Sequence, residues 1–142
     1  MTKLNPYLSF KDQAKAALEF YQSVLGGELD VTTFGDMPDM PGVPEGEGGL
    51  VMHGHLETPG GLTLMASDTG TMMPYVPATS GVTVALTGAG AADLDYVRSA
   101  YEKLLDGATE TLPFELAPWG DHYGQLTDKF GVSWMFDVGE AG

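Results

Sequence analysis

The chain has 142 residues, no cysteine and a formal net charge of −14, because 20 acidic residues face only 6 Lys and Arg. This length fits one domain, or two small modules that share a core. The scarcity of basic residues excludes nucleic acid as a partner, since phosphates would be repelled, and the lack of thiols excludes disulfides and thiolate chemistry. No apolar run approaches the roughly 20 residues that span a bilayer, and no signal peptide precedes Leu4, which predicts a cytoplasmic protein without a membrane partner.

The first 34 residues predict a strand, a helix and a second strand. Residues 4–10 alternate between two faces: Leu4, Leu8 and Phe10 on the face that meets the helix, and Asn5, Tyr7 and Ser9 on the other. Asp12 is expected to cap the helix, whose apolar stripe ends at Gly26 and Gly27. β-Branched residues then favour a strand over residues 28–34.

A long loop over residues 35–49 comes before a hairpin. It is rich in Pro, Gly, Met and acids, and two interpretations stay open, a lid over a binding site or a floppy acidic insertion. In residues 50–57 the side chains again alternate, with Leu50, Met52 and Leu56 on one face and Val51, His53, His55 and Glu57 on the other. Pro59-Gly60-Gly61 predicts the turn into a strand over residues 62–67.

The second half of the chain repeats this order after a linker over residues 69–80. A strand over residues 82–87 and an amphipathic helix that ends at Gly107 lead to a strand over residues 109–116. The predicted fold class is therefore α+β, with two βαβββ modules over about residues 4–68 and 81–138. Each module would be a curved mixed sheet backed by a helix, and both would form a single domain over residues 1–142, with a ligand cleft on the open sheet faces.

The C-terminal stretch carries aromatic and polar side chains just before a closing hairpin. Trp119 and Tyr123 are too close together for an ordinary solvated loop, which indicates a functional one. Asp128-Lys129-Phe130-Gly131 predicts a tight turn, because Asp bonds its own backbone and Gly adopts positive φ. The aromatic and β-branched run over residues 132–136 predicts a buried final strand.

This stretch, Trp-Gly-Asp-x-Tyr-Gly and then Asp-x-Phe-Gly-Val-x-Trp, resembles the PhnB-like branch of the glyoxalase/bleomycin-resistance/extradiol-dioxygenase superfamily, whose fold is called vicinal oxygen chelate. The resemblance extends over nearly the whole chain, through Leu4-Asn5-Pro6-Tyr7-Leu8, Ala17 to Gly27, Phe34-Gly35-Asp36-Met37-Pro38 and Leu64-Met65-Ala66-Ser67-Asp68. It implies the two-module fold. It also implies a homodimer, because members commonly pair so that modules from two chains complete each cleft, and exposed sheet edges agree with this.

Enzymes of this superfamily usually hold a divalent metal with His and carboxylate side chains from the first and fourth strands of each module. The matching positions here are Asn5, Leu64 or Met65, Val82 and Met135. Apolar and thioether groups are poor ligands for a hard or borderline cation. The sequence therefore predicts no metal site and no cofactor.

Two histidines of the third strand offer another metal set. His53 and His55 share a face, with Glu57 beside them. They lie away from the superfamily's ligand strands, and paired histidines more often form hydrogen-bonded cleft walls. We therefore expect them to line the cleft without metal, and we expect His122 to be exposed.

Three functions stay open, and no catalytic residue is singled out by spacing. The first is a small-molecule-binding protein of the superfamily without its usual metal; its acidity would favour a cationic ligand, unless the charge only solvates the surface. The second is an enzyme, either a metal-assisted lyase, isomerase or dioxygenase with altered ligands or a methyltransferase-like enzyme, although no glycine-rich S-adenosylmethionine loop follows the first strand. The third is a ligand-free structural or interaction protein.

The predicted cleft residues share the sheet faces opposite the helices or lie in the Trp119 loop. They are Asn5, Tyr7, His53, His55, Trp119, Asp121, Tyr123 and Met135. Trp134 is assigned either to this cleft or to the core.

Overall fold

The computed structural model describes residues 2–37 and 42–140. The chain divides into two compact units, Met1–Ala78 and Thr79–Gly142. The first unit contains β1 (Tyr7–Phe10), α1 (Ala14–Leu25), β2 (Glu28–Thr33), a 3₁₀ turn (Phe34–Asp36), β3 (Val51–Glu57) and β4 (Thr63–Asp68). The second contains β5 (Val84–Ala89), α2 (Gly90–Leu104), β6 (Thr109–Leu116), β7 (His122–Thr127) and β8 (Ser133–Gly139). Among the described residues, neither helix is long and apolar enough to cross a bilayer.

Each unit has one four-stranded mixed sheet. The strand order is β1-β4-β3-β2 in the first unit and β5-β8-β7-β6 in the second. The first strand of each unit runs parallel to the last, and the other pairs are antiparallel. With one helix packed on each sheet, the predicted α+β fold of two βαβββ modules is confirmed. The union of both modules in a single domain stays a prediction.

The core of each unit lies between its helix and one sheet face. Along α1 the buried positions recur at the three- and four-residue steps of an amphipathic helix, as they do in the second half of α2. The first core contains Leu8, Phe10, Ala14, Ala17, Leu18, Tyr21, Val24, Leu25, Val51, Leu56, Leu64 and Ala66. The second contains Leu86, Val97, Ala100, Tyr101, Leu104, Phe114, Leu126, Val132, Trp134, Phe136 and Val138.

The first strand is shorter than its alternation predicts. β1 begins at Tyr7, and Leu4 is fully exposed instead of covering the helix. Pro6 has no N–H to donate to a neighbouring strand, although its carbonyl accepts a hydrogen bond from the Met65 N–H. The paired register of β1 with β4 therefore begins at Tyr7, directly after the proline.

The start of α1 also differs from the prediction. Gln13 is the N-cap residue and makes no side-chain cap bond with any described residue, so Asp12 is not the cap. Instead Asp68, the last residue of β4, accepts hydrogen bonds from the Ala14 N–H through Oδ1 (2.9 Å) and from the Val51 N–H through Oδ2 (2.9 Å). A buried carboxylate thus satisfies a free helical N–H from across the sheet.

The inside–outside pattern of side chains in β3 reverses near the start of the strand. Val51 is fully buried on the helix side with Gly54 and Leu56, whereas the alternation placed it with His53. The pairing of β2 with β3 shifts between Thr32 and Thr33, so that Met52 is an extra residue in the ladder. A β-bulge of this kind reverses the inside–outside pattern of the residues before it.

The second half of the long loop is anchored to the segment after β4. Oε1 of Glu47 accepts hydrogen bonds from the Thr71 N–H (3.0 Å) and the Thr71 hydroxyl (2.7 Å). Residues 38–41 lie outside the described residues, so the choice between a lid and an insertion stays open.

The second unit also has two boundaries that differ from the sequence-based expectation. β5 begins at Val84, and Val82 before it is 66% exposed. α2 ends at Leu104, with Leu105 as its C-cap, so Gly107 lies beyond the end of the helix. The closing turn is formed as predicted: Asp128 Oδ1 accepts hydrogen bonds from the backbone N–H groups of Phe130 and Val132.

Candidate functional site

The face of the first sheet opposite α1 is here called the first open face. The strand pairing places Tyr7, Met65, His55 and Asp30 in one row across it. The Tyr7 hydroxyl and His53 Nδ1 share a hydrogen bond of 3.0 Å. The bond thereby joins the rings of Tyr7 and His53, and the ring of His55 lies next to that of His53, so these three predicted cleft residues form one cluster. Asn5 is half-buried in the segment before β1.

His55 is the unsatisfied member of this cluster. Its Nε2 is covered and has no hydrogen-bond partner within the described part of the chain. The nearest acidic oxygen, Glu57 Oε2, lies 3.9 Å away, which is too long for a hydrogen bond. The His53 and His55 ring centroids are 6.3 Å apart.

The face of the second sheet opposite α2 is here called the second open face. One row across it contains Ala85, Met135, Gln125 and Leu112, and the next contains Thr87, Asp137, Tyr123 and Glu115. Trp134 faces the other way, is 2% exposed, and donates its indole N–H to Asp128 Oδ2 at 2.9 Å. It therefore belongs to the core.

Trp119 lies in the turn that joins β6 to β7. Hydrogen bonds from the Ala117 N–H to the Asp121 carbonyl (2.7 Å) and from the Gly120 N–H to the Ala117 carbonyl (3.0 Å) close this turn. The Trp119 ring meets Tyr123 edge to face, with 5.7 Å between centroids, yet Trp119 remains 64% exposed. Gln125 donates from Nε2 to the Tyr123 hydroxyl at 2.6 Å, which fixes the far end of that ring.

Two carboxyl groups meet at the same end of the second open face. Burial raises the pKa of Asp137, and hydrogen bonding and charge repulsion with Asp121 raise it further. Asp137 Oδ1 is covered and has no hydrogen-bond partner among the described residues. A raised pKa means that Asp137 keeps a proton to a higher pH than an isolated carboxyl.

A shallow cavity of about 190 Å³ opens at the other end of this face, beside the β7–β8 turn. Its lining is mostly polar and also includes Met135. The lining residues are Thr83, Gln125, Leu126, Thr127, Ser133, Trp134 and Met135.

The four positions that would carry the superfamily's metal do not fit a metal. Leu64 is buried against α1, whereas Met65 and Met135 lie on the open faces and Val82 is largely exposed. Only Asn5 offers a donor atom that suits a hard cation. In residues 2–37 and 42–140, no cluster of three or more His, Cys, Asp or Glu side chains is arranged to hold an ion.

Sequence analysis missed two polar residues of the second open face. Asp137 lies two residues after Met135 in β8, and Gln125 lies two residues after Tyr123 in β7, so each pair shares a strand face. Extending the alternation along each strand would have found both residues. His122 faces the other side of the sheet, where its ring lies 5.9 Å from that of Phe114, and it is half-buried rather than exposed.

The chain matches known proteins along nearly its whole length. The family model described as 3-demethylubiquinone-9 3-methyltransferase covers residues 2–136. Protein YjdN of Escherichia coli (strain K12) is 29% identical over 145 residues, which cover 95% of this chain and 94% of that protein. The crystal structure of protein PA1353 from Pseudomonas aeruginosa has a TM-score of 0.82 at 28% identity, covering 99% of this chain and 100% of the other.

A more distant solved structure shares the fold. The glyoxylase/bleomycin resistance protein/dioxygenase domain from Frankia sp. EAN1pec has a TM-score of 0.61 at 18% identity, covering 100% of this chain and 95% of that domain. Together with the two βαβββ sheets, this likeness confirms the glyoxalase-like fold. The chain belongs to the family described as 3-demethylubiquinone-9 3-methyltransferase, and its fold is that of glyoxalase-like proteins.

Proposed function

We propose that this protein binds a small organic molecule on its second open face, at the pair formed by Trp119 and Tyr123. The observation that carries the proposal is the exposure of Trp119, 64%, in a turn whose backbone is closed by two hydrogen bonds. Such a turn holds a large apolar ring in water at a fixed place, which is typical of a binding platform.

The groups around this pair suit a ring that carries a positive charge. The aromatic faces of Trp119 and Tyr123 can attract a cation, and Asp121 and Asp137 lie at the same end of the face. The net charge of −14 favours the same class of ligand at long range. The cavity of about 190 Å³ beside Met135 offers room for the remainder of the molecule.

The proposed binding uses neither the superfamily's metal positions nor the methyl transfer named in the family's description. Apolar side chains at three of those four positions support a site without the superfamily's metal. Methyl transfer is left out because no glycine-rich loop for S-adenosylmethionine follows the first strand in the sequence. A cytoplasmic location, predicted from the sequence, is part of the same proposal.

We also propose a homodimer. The two sheets of this 142-residue chain have four edge strands, which are β1 and β2 in one sheet and β5 and β6 in the other. Unpaired strand edges and open faces favour association with a second copy. Sedimentation velocity should report twice the chain mass at micromolar concentration, and a monomer there would contradict the dimer without affecting the ligand site.

Native mass spectrometry of the untagged protein tests the ligand proposal. The wild-type chain should carry an organic molecule, and Trp119→Ala should lose it while keeping the far-ultraviolet circular dichroism spectrum of the wild type. Leu116→Ala is the matched control, because Leu116 is 63% exposed in the neighbouring strand but pairs with His122 on the opposite face. The Leu116→Ala variant should keep the ligand. A wild-type chain without ligand, or equal loss in both variants, would contradict the proposal.

A further inference from the structure

We infer that Asp106 and Gly107, in the turn between α2 and β6, form a site of spontaneous covalent modification at which the aspartate converts to isoaspartate. The side-chain carboxyl of Asp106 reacts with the backbone nitrogen of Gly107, and the reaction needs water but no enzyme or cofactor. The site lies in the second unit and is independent of the ligand binding proposed for the second open face.

The sequence singles out this dipeptide. The ring that precedes isoaspartate joins the carboxyl carbon of an aspartate to the nitrogen of the next residue, and a side chain on that next residue hinders the approach. Asp106 is the only aspartate of the chain that is followed by glycine, which has no side chain. Asparagine closes the same ring, but the single asparagine, Asn5, precedes Pro6, which has no N–H to react.

The structure leaves both reacting groups accessible. The Asp106 side chain is 76% exposed, and Gly107 is exposed beyond the end of α2. Two nearby N–H groups are engaged, since Leu105 donates to the Tyr101 carbonyl (3.1 Å) and Ala108 donates to the Leu105 carbonyl (3.0 Å). The Gly107 N–H donates to no group in the described part of the chain. Inside a helix this nitrogen would be held by a hydrogen bond to the preceding turn, whereas here it is free to attack.

An ion pair with Lys129 competes with the reaction but does not prevent it. Lys129 Nζ donates to Asp106 Oδ2 at 3.1 Å, and the two side chains are 38% and 76% exposed. A pair this exposed contributes little to stability and is screened by salt. The Asp106 carboxyl therefore leaves Lys129 often enough to approach the Gly107 nitrogen.

The reaction has two steps, and its atoms balance with water alone. In the first, the Gly107 nitrogen bonds to Cγ of Asp106, and the nitrogen's proton leaves with the carboxyl hydroxyl as water, which closes a succinimide ring. In the second, water opens the ring at one of its two carbonyls. Opening at one carbonyl restores aspartate, and opening at the other leaves the main chain running through Cγ, which is isoaspartate. Nothing is oxidised or reduced.

The modified turn should fit the fold poorly. Isoaspartate lengthens the main chain by one CH₂ group, inside a turn that the hydrogen bond between Ala108 and Leu105 closes. The turn also lies against the β7–β8 turn, because a Cβ added at Gly107 would be 2.9 Å from Cβ of Lys129. The longer backbone cannot keep both the hydrogen bond and this packing, so the modified chain should unfold at a lower temperature than the fresh one.

Ageing of the untagged full chain in ¹⁸O-water tests the inference. After prolonged incubation at neutral pH, peptide mapping with electron-transfer fragmentation should find isoaspartate and heavy oxygen at Asp106, in a larger fraction than at any other aspartate. Added protein L-isoaspartyl methyltransferase, a separate enzyme that methylates isoaspartate, should label the aged chain and leave the fresh chain unlabelled. Asp106→Glu is the matched control, because it keeps the charge beside Lys129 while its larger ring closes far more slowly, and it should lose the label.

The inference is overturned if Asp106 is converted no more than the other aspartates, or if aged Asp106→Glu gains as much label as the aged wild type. Circular dichroism of the fresh chains shows that both begin folded. An aged, isoaspartate-containing fraction that unfolds at the same temperature as fresh protein would overturn the effect expected on the turn. Binding of the organic molecule by the Trp119 pair is measured on fresh protein, so the failure of one proposal does not carry over to the other.

Discussion

At the scale of single residues, two buried carboxylates hold the backbone in place. Asp128 is 3% exposed and accepts hydrogen bonds from the backbone N–H groups of Phe130 and Val132 and from the indole of Trp134. In the first unit, Asp68 joins the start of α1 to the start of β3. Each carboxylate satisfies donors that would otherwise be buried without partners.

Replacing Asp128 by Ala should lower the free energy of unfolding by about 2–4 kcal/mol, because three donors lose their acceptor in the interior. The control is Asp106→Ala, which removes only a surface ion pair with Lys129, where the Asp106 side chain is 76% exposed. It should cost less than about 0.5 kcal/mol. Urea denaturation measures both, and equal losses would contradict the role given to Asp128.

The raised pKa of Asp137 predicts a pH-dependent effect on stability. Because the folded state holds this proton more tightly than the unfolded chain, the contribution to stability is full below the ordinary pKa of 3.8 and is lost as the pH rises through the folded value. Asp137→Asn stays neutral at every pH, so it should stabilise the protein at neutral pH and lose this advantage in acid. Thermal melts across the pH range would show the trend, and a variant less stable than the wild type at neutral pH would contradict it.

At the scale of elements, the close approach of α1 to β3 depends on a glycine. A Cβ added at Gly54 would overlap Cδ1 of Leu18, a side chain that is fully buried. Gly54→Ala should therefore destabilise the protein by about 1–3 kcal/mol through overpacking. Gly49→Ala is the control, because nothing lies within 4 Å of its Cβ position. Chemical denaturation in which both variants match the wild type would contradict this packing.

The order of strands and helices could be predicted from the sequence, because alternation and helical periodicity are local signals. Contacts between distant residues could not be predicted in this way. The bulge at Met52 depends on pairing with β2, and the cap of α1 comes from Asp68, some fifty residues along the chain. Residues on one strand face, such as His53 and His55, were grouped correctly, while the hydrogen bond between Tyr7 and His53 needed the sheet.

The same limit applies to the candidate site in the second unit. Trp119 and Tyr123 stood out because two large rings are close in sequence. Asp137 did not, since its importance comes from Asp121, which precedes the neighbouring strand. Whether Trp134 belongs to a cleft or to the core was decided by its hydrogen bond to Asp128, six residues earlier in the chain.

At the scale of the whole molecule, the charge of −14 opposes the compact state through self-repulsion. Added NaCl shortens the screening length from about 10 Å at 0.1 M to about 3 Å at 1 M and should weaken this repulsion. The temperature of unfolding should therefore rise with NaCl. Differential scanning calorimetry at several salt concentrations measures the effect, and a falling temperature would show that attractive ion pairs dominate instead.

The central claim is that the Trp119–Tyr123 pair binds a small organic molecule, and the two tryptophans of the chain allow a direct test. In a ¹H–¹⁵N spectrum, the exposed indole N–H of Trp119 and the buried one of Trp134 report on two different places. Titration with benzylamine and benzamidine, with benzyl alcohol as the neutral control, should move the Trp119 signal and the side-chain amide of Gln125 while the Trp134 signal stays in place. Charged probes should cause the larger shifts. Signals of Trp119 that stay unchanged with every probe, or a Trp134 signal that moves as far, would contradict the claim.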